Sequence, residues 1–243
     1  MIPPAFISFE GLDGSGKSTQ VELLAAHLRQ HGQQVVTLRE PGGTELGERI
    51  RSLVLDSRPA PETELALMCA SRAQSVREVI APALEAGAWV LADRFHDATE
   101  AYQGGGRGLD RAAIAALHRT LCSGLLPDLT LILELEPAAS LERARRRSLP
   151  ATQRQPERQP GSRAEDRSAP PERPTGATQA KSGEPPSRFE AEGDGFFSRV
   201  AAAYHEVAQR EPQRCAVIPG AGAPEAIAAR VRAVVAERLG WKA

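Results

Sequence analysis

Three cysteines, Cys69, Cys122 and Cys215, are all that this chain of 243 residues contains. They are odd in number, widely spaced and form no C-x-x-C pair, which argues against a disulfide framework and a zinc site and fits a reducing compartment. No stretch approaches the roughly 18 apolar residues of a membrane span. Met1-Ile2-Pro3-Pro4 leads directly into an apolar run, with neither the basic n-region nor the apolar h-region of a secretion signal. The expectation is a cytoplasmic protein with no membrane partner. A charge surplus is missing too: Lys and Arg number 30, Asp and Glu 31, for a net charge of −1. Nucleic acid is therefore not attracted globally, and any positive field must be local. An N-K-x-D guanine reader is absent, which argues against a GTPase, and no periodic repeat or DNA-reading element suggests a motor or repair ATPase.

What the chain does have is organised around Gly11-Leu12-Asp13-Gly14-Ser15-Gly16-Lys17-Ser18, set between the apolar run Ala5 to Phe9 and a helix-patterned segment from Thr19 to Arg29. The pattern G-x-x-x-x-G-K-[ST] wraps a triphosphate in backbone N–H groups, and Gly11, Gly14 and Gly16 let the backbone curl tightly enough to do so. Lys17 would reach the β- and γ-phosphates, Ser18 would ligate Mg²⁺, and the helix that follows aims its positive end at the anion. Average residue usage would produce the bare pattern in roughly one chain per hundred of this length. Its place between a strand and a helix makes chance rarer still, so a nucleoside-triphosphate site follows.

Along the chain, Val21, Leu24, Ala25 and Leu28 recur at helical spacing, and Gly32 closes that helix. Gln34 to Leu38 is a short strand that ends in the turn Arg39-Glu40-Pro41-Gly42-Gly43. Ligands gather beyond the carboxyl ends of strands in open parallel sheets, so Arg39 is either a cation on that rim or a solvated loop residue. Helical pattern runs from Glu45 to Leu55 and from Glu62 to Glu85, with Leu65, Met68, Cys69, Arg72, Val76, Val79 and Ile80 on or near one face. Arg72 either snorkels from a core helix or points into a cleft. Trp89 to Ala92 reads as a buried strand finishing in Asp93-Arg94. A carboxylate there suits a magnesium site beside the loop, and Arg94 either holds a second phosphate or forms a local ion pair. Ala101 to Gly108 is too glycine-rich for a helix interior and must be a loop or a helix end; within it Tyr102 and Gln103 suit a pocket wall.

Arg111 to Leu121 is an amphipathic helix, Leu129 to Leu133 an apolar strand, and a helix from Ala138 carries Arg143, Arg145, Arg146 and Arg147. Arg143 and Arg147 share a face, and the row is either a solvated surface or an anion trap. From about Leu149 to Ser187 eight prolines accompany one large aliphatic residue, so disorder is expected there. A helix with Phe196, Phe197, Val200, Tyr204 and Val207, a strand Cys215 to Ile218 and a helix from Pro224 to Leu239 complete the chain. This alternation predicts an α/β fold with a five-stranded parallel sheet flanked by helices, and the length fits a single domain over residues 1–243. Small size and arginines at several strand ends favour a kinase for a phosphorylated acceptor. Two such substrates end to end bring about six negative charges together, which only a cationic site can hold.

The motifs Phe9 to Ser18, Arg39-Glu40-Pro41-Gly42-Gly43, Asp93-Arg94-Phe95 and Ala101 to Gly108, in this order, resemble those of bacterial thymidylate kinases over nearly the whole chain apart from the proline-rich segment. The resemblance implies the P-loop NTPase fold of nucleoside monophosphate kinases, transfer of the ATP γ-phosphoryl group to dTMP in dTTP biosynthesis, Mg²⁺ as cofactor and a homodimer. It implies ATP contacts from Gly11, Asp13, Gly14, Ser15, Gly16, Lys17, Ser18 and Thr19, and a metal site at Ser18 and Asp93. For dTMP it implies Asp13 near the sugar and phosphate, Arg39 and Arg94 on the phosphate, Arg72 on a thymine carbonyl, and Met68, Thr99 and Gln103 near the base. Tyr102 would crowd a ribose 2′-hydroxyl. Lys17, Asp13 and Arg94 would act at the reacting groups. Ser15 stands where some members carry a loop arginine, and members without it resemble this chain in placing catalytic arginines on a lid. That lid would span residues 143–190, with the insertion at about 149–187 inside it and Arg143, Arg147 and Arg188 as its arginines.

The chain departs from the family pattern at Met68, where a phenylalanine is common, at Ser187, where an aspartate precedes the arginine, and at Phe95 and Ala98. Two other readings are a kinase for dUMP or UMP and a nucleotide-binding interaction protein without transferase activity. Phosphoryl transfer to an anionic acceptor requires positioning and charge stabilisation more than a strong base, so no catalytic His or Cys is required.

Overall fold

A computed structural model describes residues 4–148, 189 and 192–241, with the backbone alone at 147 and 148. Strand β1 (Phe6–Glu10) feeds the glycine loop and helix α1 (Lys17–Gln30). β2 (Val35–Arg39) is followed by α2 (Glu45–Asp56) and α3 (Pro61–Ser75), and the chain continues through a π-helical turn, Val76–Ile80, into α4 (Ala81–Glu85). β3 (Trp89–Asp93), the short α5 (His96–Thr99), a second π-helical stretch Glu100–Gly106 and α6 (Arg111–Cys122) come next. β4 (Leu129–Glu134), α7 (Pro137–Ser148), α8 (Asp194–Arg210), β5 (Cys215–Pro219) and α9 (Pro224–Leu239) complete the described elements.

The five strands form one parallel sheet in the order β2-β3-β1-β4-β5. The expected α/β architecture is therefore present, with each strand ending one residue later than the sequence pattern implies. Alternate side chains of the central strands feed opposite layers. Ile7, Phe9, Trp89, Leu91, Leu129 and Leu131 pack with α1 and α9, while Phe6, Val90 and Ala92 pack with Phe95 and Ile80 on the other face. Burial on both faces is why these strands read as continuous apolar runs.

Two expectations need correction. The helix predicted over Glu62 to Glu85 starts at Pro61 and widens into a π turn at 76–80. Pro82, just beyond, has no N–H and its ring would crowd the carbonyl four residues back, and a wider turn relieves both. The stretch Ala101 to Gly108 is helical as far as Gly106, where loop geometry or a helix end was expected. Its glycines serve packing: a Cβ on Gly105 would lie 2.5 Å from the Ala203 Cβ, and one on Gly106 would lie 2.5 Å from the Phe196 ring. Helix α8 is thereby seated directly on this segment.

Candidate active site

The loop after β1 is held in the shape its glycines allow. Gly11, Gly14 and Gly16 have φ of 127°, 87° and 99°, in the left-handed region. Gly14 is further confined because a Cβ there would stand 2.1 Å from the Ser140 carbonyl oxygen on α7. Ser140 Oγ donates to the Asp13 carbonyl at 2.9 Å, fastening α7 to the loop. Lys17 and Ser18 form the first turn of α1. Ser15 is fully buried with its hydroxyl unpartnered, whereas Thr19 is exposed.

Two cations converge on this loop. Lys17 Nζ donates to the carbonyls of Leu12 (2.8 Å) and Gly11 (3.2 Å), and Arg94 Nη1 donates to the same Gly11 carbonyl at 3.0 Å. Burial, with the Arg94 charge second, lowers the Lys17 amine to about 8. Arg94 does not pair with Asp93 beside it. Its Nη2 reaches Asp13 Oδ1 (2.7 Å) and the Tyr102 hydroxyl (3.0 Å), its Nη1 also reaches the Tyr204 hydroxyl (3.1 Å), and its guanidinium lies 4.7 Å from the centre of the Tyr102 ring. Asp93 instead accepts from Ser18 Oγ at 2.5 Å. A hydroxyl and a carboxylate meeting beside a phosphate loop are hard oxygen donors, a set that suits Mg²⁺.

The arginine read as snorkelling or cleft-facing is buried. Arg72 is 3% exposed; its Nε pairs with Glu40 Oε2 at 2.8 Å, and its Nη2 donates to the Phe95 carbonyl and to Thr99 Oγ1, each at 2.9 Å. Burial pushes the Glu40 carboxyl up to about 7, with Arg72 opposing the rise; Glu40 Oε1 is buried without a partner. Gln103 is also buried and donates to Glu64 at 2.6 Å, while Met68 packs partly buried against the cluster that holds Tyr102. Arg39 ends β2 in register with Asp93, and its guanidinium pairs with Glu48 at 2.9 Å.

The structure thus brings Asp13, Lys17, Arg94 and Tyr102 together, and Arg72 with Thr99; it turns Arg39 toward Glu48. Arg143 donates to the Gly220 carbonyl at 3.4 Å, and Gly220 lies against the loop at Ser15. The Arg147 side chain, Arg188 and the segment 149–187 lie outside the described residues. Sequence reasoning missed Glu10, Glu40, Glu64 and Tyr204. Glu10, at the end of β1, is raised to about 8 by burial, then by Asp97. Glu40 carried a signal, standing next to Arg39 in a glycine turn, whereas Glu64 has no arginine within five residues of it. Glu10 and Tyr204, 194 residues apart, carried none.

Backbone N–H groups on a left-handed glycine loop, with two cations sharing one carbonyl above the carboxyl edge of a parallel sheet, form a receptor for phosphates. The class these features define is the P-loop nucleoside monophosphate kinases, which are phosphotransferases. Residues 9–164 match the family model described as thymidylate kinase. The thymidylate kinase of Pelobacter propionicus is 42% identical over 96% of this chain and 93% of its own length, and that of Pseudomonas putida 44% identical over 91% and 90%. The crystal structure of thymidylate kinase from Ehrlichia chaffeensis superposes with a TM-score of 0.69 at 27% identity, covering 96% of this chain and 98% of that one. The chain belongs to the thymidylate kinase family.

Proposed function

We propose that this chain transfers the γ-phosphoryl group of ATP to dTMP, giving dTDP and ADP on the way to dTTP, with Lys17 on the donor side and Arg94 on the acceptor side of the transferring group. The observation that carries this reading is the shared Gly11 carbonyl: Nζ of one residue and Nη1 of the other donate to a single oxygen of the loop. Two cations so close repel one another, and anionic ligands relieve that repulsion.

In this reading the loop amides and Lys17 hold the ATP phosphates, and Arg94, kept in place by Asp13 and Tyr102, grips the dTMP phosphate in line with them. The acceptor phosphate is its own nucleophile, so Asp13 orients and does not need to remove a proton. Ser18 and Asp93 would hold Mg²⁺, which would supply positive charge to offset that of the ATP phosphates. Arg72, braced by Glu40, and Thr99 face the base with Met68 as its apolar contact, Gln103 lies behind them, and Arg39 is a second cation on the acceptor phosphate. Tyr102, stacked with Arg94, sits where a 2′-hydroxyl would crowd it. Arg143, one helical turn beyond the Ser140 contact with the loop, joins with Arg147 and Arg188 to complete the charge around the transferring group.

α3 packs against both α2 and α6, and those two helices expose Leu53 (56%) and Leu121 (45%). Apolar side chains at that exposure support a homodimer. No helix among the described residues is long and apolar enough to cross a membrane; the place assigned to the enzyme, beside its nucleotide substrates, is the cytoplasm. An ADP-release assay with ATP, Mg²⁺ and dTMP, dUMP, UMP, CMP or AMP tests the activity. Turnover is expected to be fastest with dTMP; faster turnover with UMP or CMP, or ATP binding without any transfer, would overturn the reading.

A further inference from the structure

Glu10 has no part in the chemistry above, yet it is fully buried one residue before the phosphate loop. Its two carboxyl oxygens go to different elements. Oε1 accepts from the Phe95 backbone N–H at 2.7 Å, and Oε2 accepts from the Tyr204 hydroxyl at 2.9 Å. Both partners bracket Arg94. Phe95 N–H belongs to the peptide that follows Arg94, and Arg94 N–H itself donates to the Phe9 carbonyl at 2.9 Å. The residue between these two anchors has φ of +75°, a conformation that a side chain with a Cβ rarely adopts. Strain of this kind persists only where the surroundings over-determine it.

The second carboxyl oxygen works on the side chain. Tyr204, on α8, pairs with Glu10 and accepts from Arg94 Nη1, so its hydroxyl links the carboxyl to the guanidinium. It is 2% exposed, so the link is shielded from bulk solvent. The Tyr102 hydroxyl and Asp13 take the other amino group of the same guanidinium. The fork is therefore constrained on both nitrogens, by two groups on the phosphate loop (Asp13 and the Gly11 carbonyl), one on the π-helical stretch and one on α8.

Resting on the assignment of Arg94 to the acceptor phosphate, we infer that Glu10 and Tyr204 are positioning residues for Arg94: Glu10 holds its backbone through Phe95 and, by way of Tyr204, its guanidinium. The fork is thereby aimed before the acceptor arrives, and less ordering remains for the substrate to drive. Neither residue touches the nucleotides in this scheme. Loss of either shows in the use of the acceptor and spares the binding of ATP.

A double-mutant cycle of Tyr204→Phe with Arg94→Ala tests this, joined to ¹⁵N NMR of the Arg94 side chain, which needs no turnover. Tyr204→Phe is expected to lower kcat/KM for dTMP about tenfold with the KM for ATP unchanged, and to cost almost nothing once Arg94 is alanine. Hindered rotation keeps the Arg94 Nη–H signals apart in the wild type, and they merge in Tyr204→Phe and in Glu10→Gln. An equal loss from Tyr204→Phe in both backgrounds overturns the inference, as do Arg94 signals that stay unchanged in both variants. Should the wild type fail to phosphorylate dTMP, the functional reading falls by itself, and the NMR signals still decide whether Glu10 and Tyr204 hold the arginine.

Discussion

Arg94, just past the end of β3, and the arginines Arg143 and Arg146 of α7 hold the same guanidinium in different surroundings. Arg94 has four acceptors on three parts of the chain and an aromatic ring beneath it. On α7, Arg143 has one long bond to a backbone carbonyl, and Arg146 pairs with Glu142 one turn away on an exposed surface. An exposed pair of that kind is worth about 0.3–0.5 kcal/mol and fixes little. One cation is held by several elements, whereas Arg143 and Arg146 are each held by a single group. The contrast suits their proposed tasks, since an acceptor must be aligned from the start, whereas charge on the transferring group has to be met only as it develops.

The largest effect should come from breaking the held side. Arg94→Ala is expected to lower kcat/KM for dTMP by about 10³, with ATP affinity by calorimetry within about twofold of wild type. Equal loss of both would contradict the acceptor role. Arg94→Lys restores the charge without the fork and should still lose on the order of 10². On the other side of the contrast, Arg143→Ala should reduce kcat by about tenfold at nearly constant KM for dTMP and constant melting temperature. A loss as large as that of Arg94→Ala would abolish the distinction.

A pH experiment isolates the buried network. Burial raises Glu10 to about 8 and Glu40 to about 7 from an ordinary value of 4.5. The folded protein therefore keeps protons that the unfolded chain releases near 4.5. The contribution of these groups to stability is complete below that pH and declines as pH rises toward 8. The slope is up to about 1.4 kcal/mol per pH unit for each proton retained. Asp97, Arg94, Lys17, Tyr102, Tyr204 and Cys215 interact electrostatically with Glu10, and Arg72, Cys69 and Cys122 with Glu40, so the slope belongs to the cluster. Melting curves of Glu10→Gln and Glu40→Gln across pH 5 to 8.5 should each be flatter than wild type; a slope equal to wild type in both would show that these carboxyls stay ionised. The smallest effect is expected from removing residues 150–186, which should leave turnover within a few-fold because loop length costs little free energy. A loss of about 10² would give the segment a catalytic part.

Much of this was legible in the residues. The alternation of apolar strands and helical stripes gave the sheet, and G-x-x-x-x-G-K-[ST] gave the loop, because both patterns are local and periodic. Arg72 on an apolar stripe was ambiguous until Glu40 and Thr99, far away in sequence, were found to close around it. The ion pair between Asp93 and Arg94 suggested by their adjacency is absent, since a left-handed turn at Arg94 sends the two side chains to different partners. Glu10 and Tyr204 were invisible for the same reason: a buried polar contact between distant elements has no period. The helical state of the glycine-rich stretch was hidden because intrinsic propensity opposed it and only the approach of α8 explains it.

Gly106 touches none of the groups assigned to the nucleotides, yet there is no room on it for even a methyl group, because the Phe196 ring stands in the way. A side chain there would push α8 outward, and α8 carries Tyr204. In a survey of tolerated substitutions this glycine would therefore score like a residue of the reaction centre, and loss of activity at such a position would report a displaced helix two turns from the tyrosine.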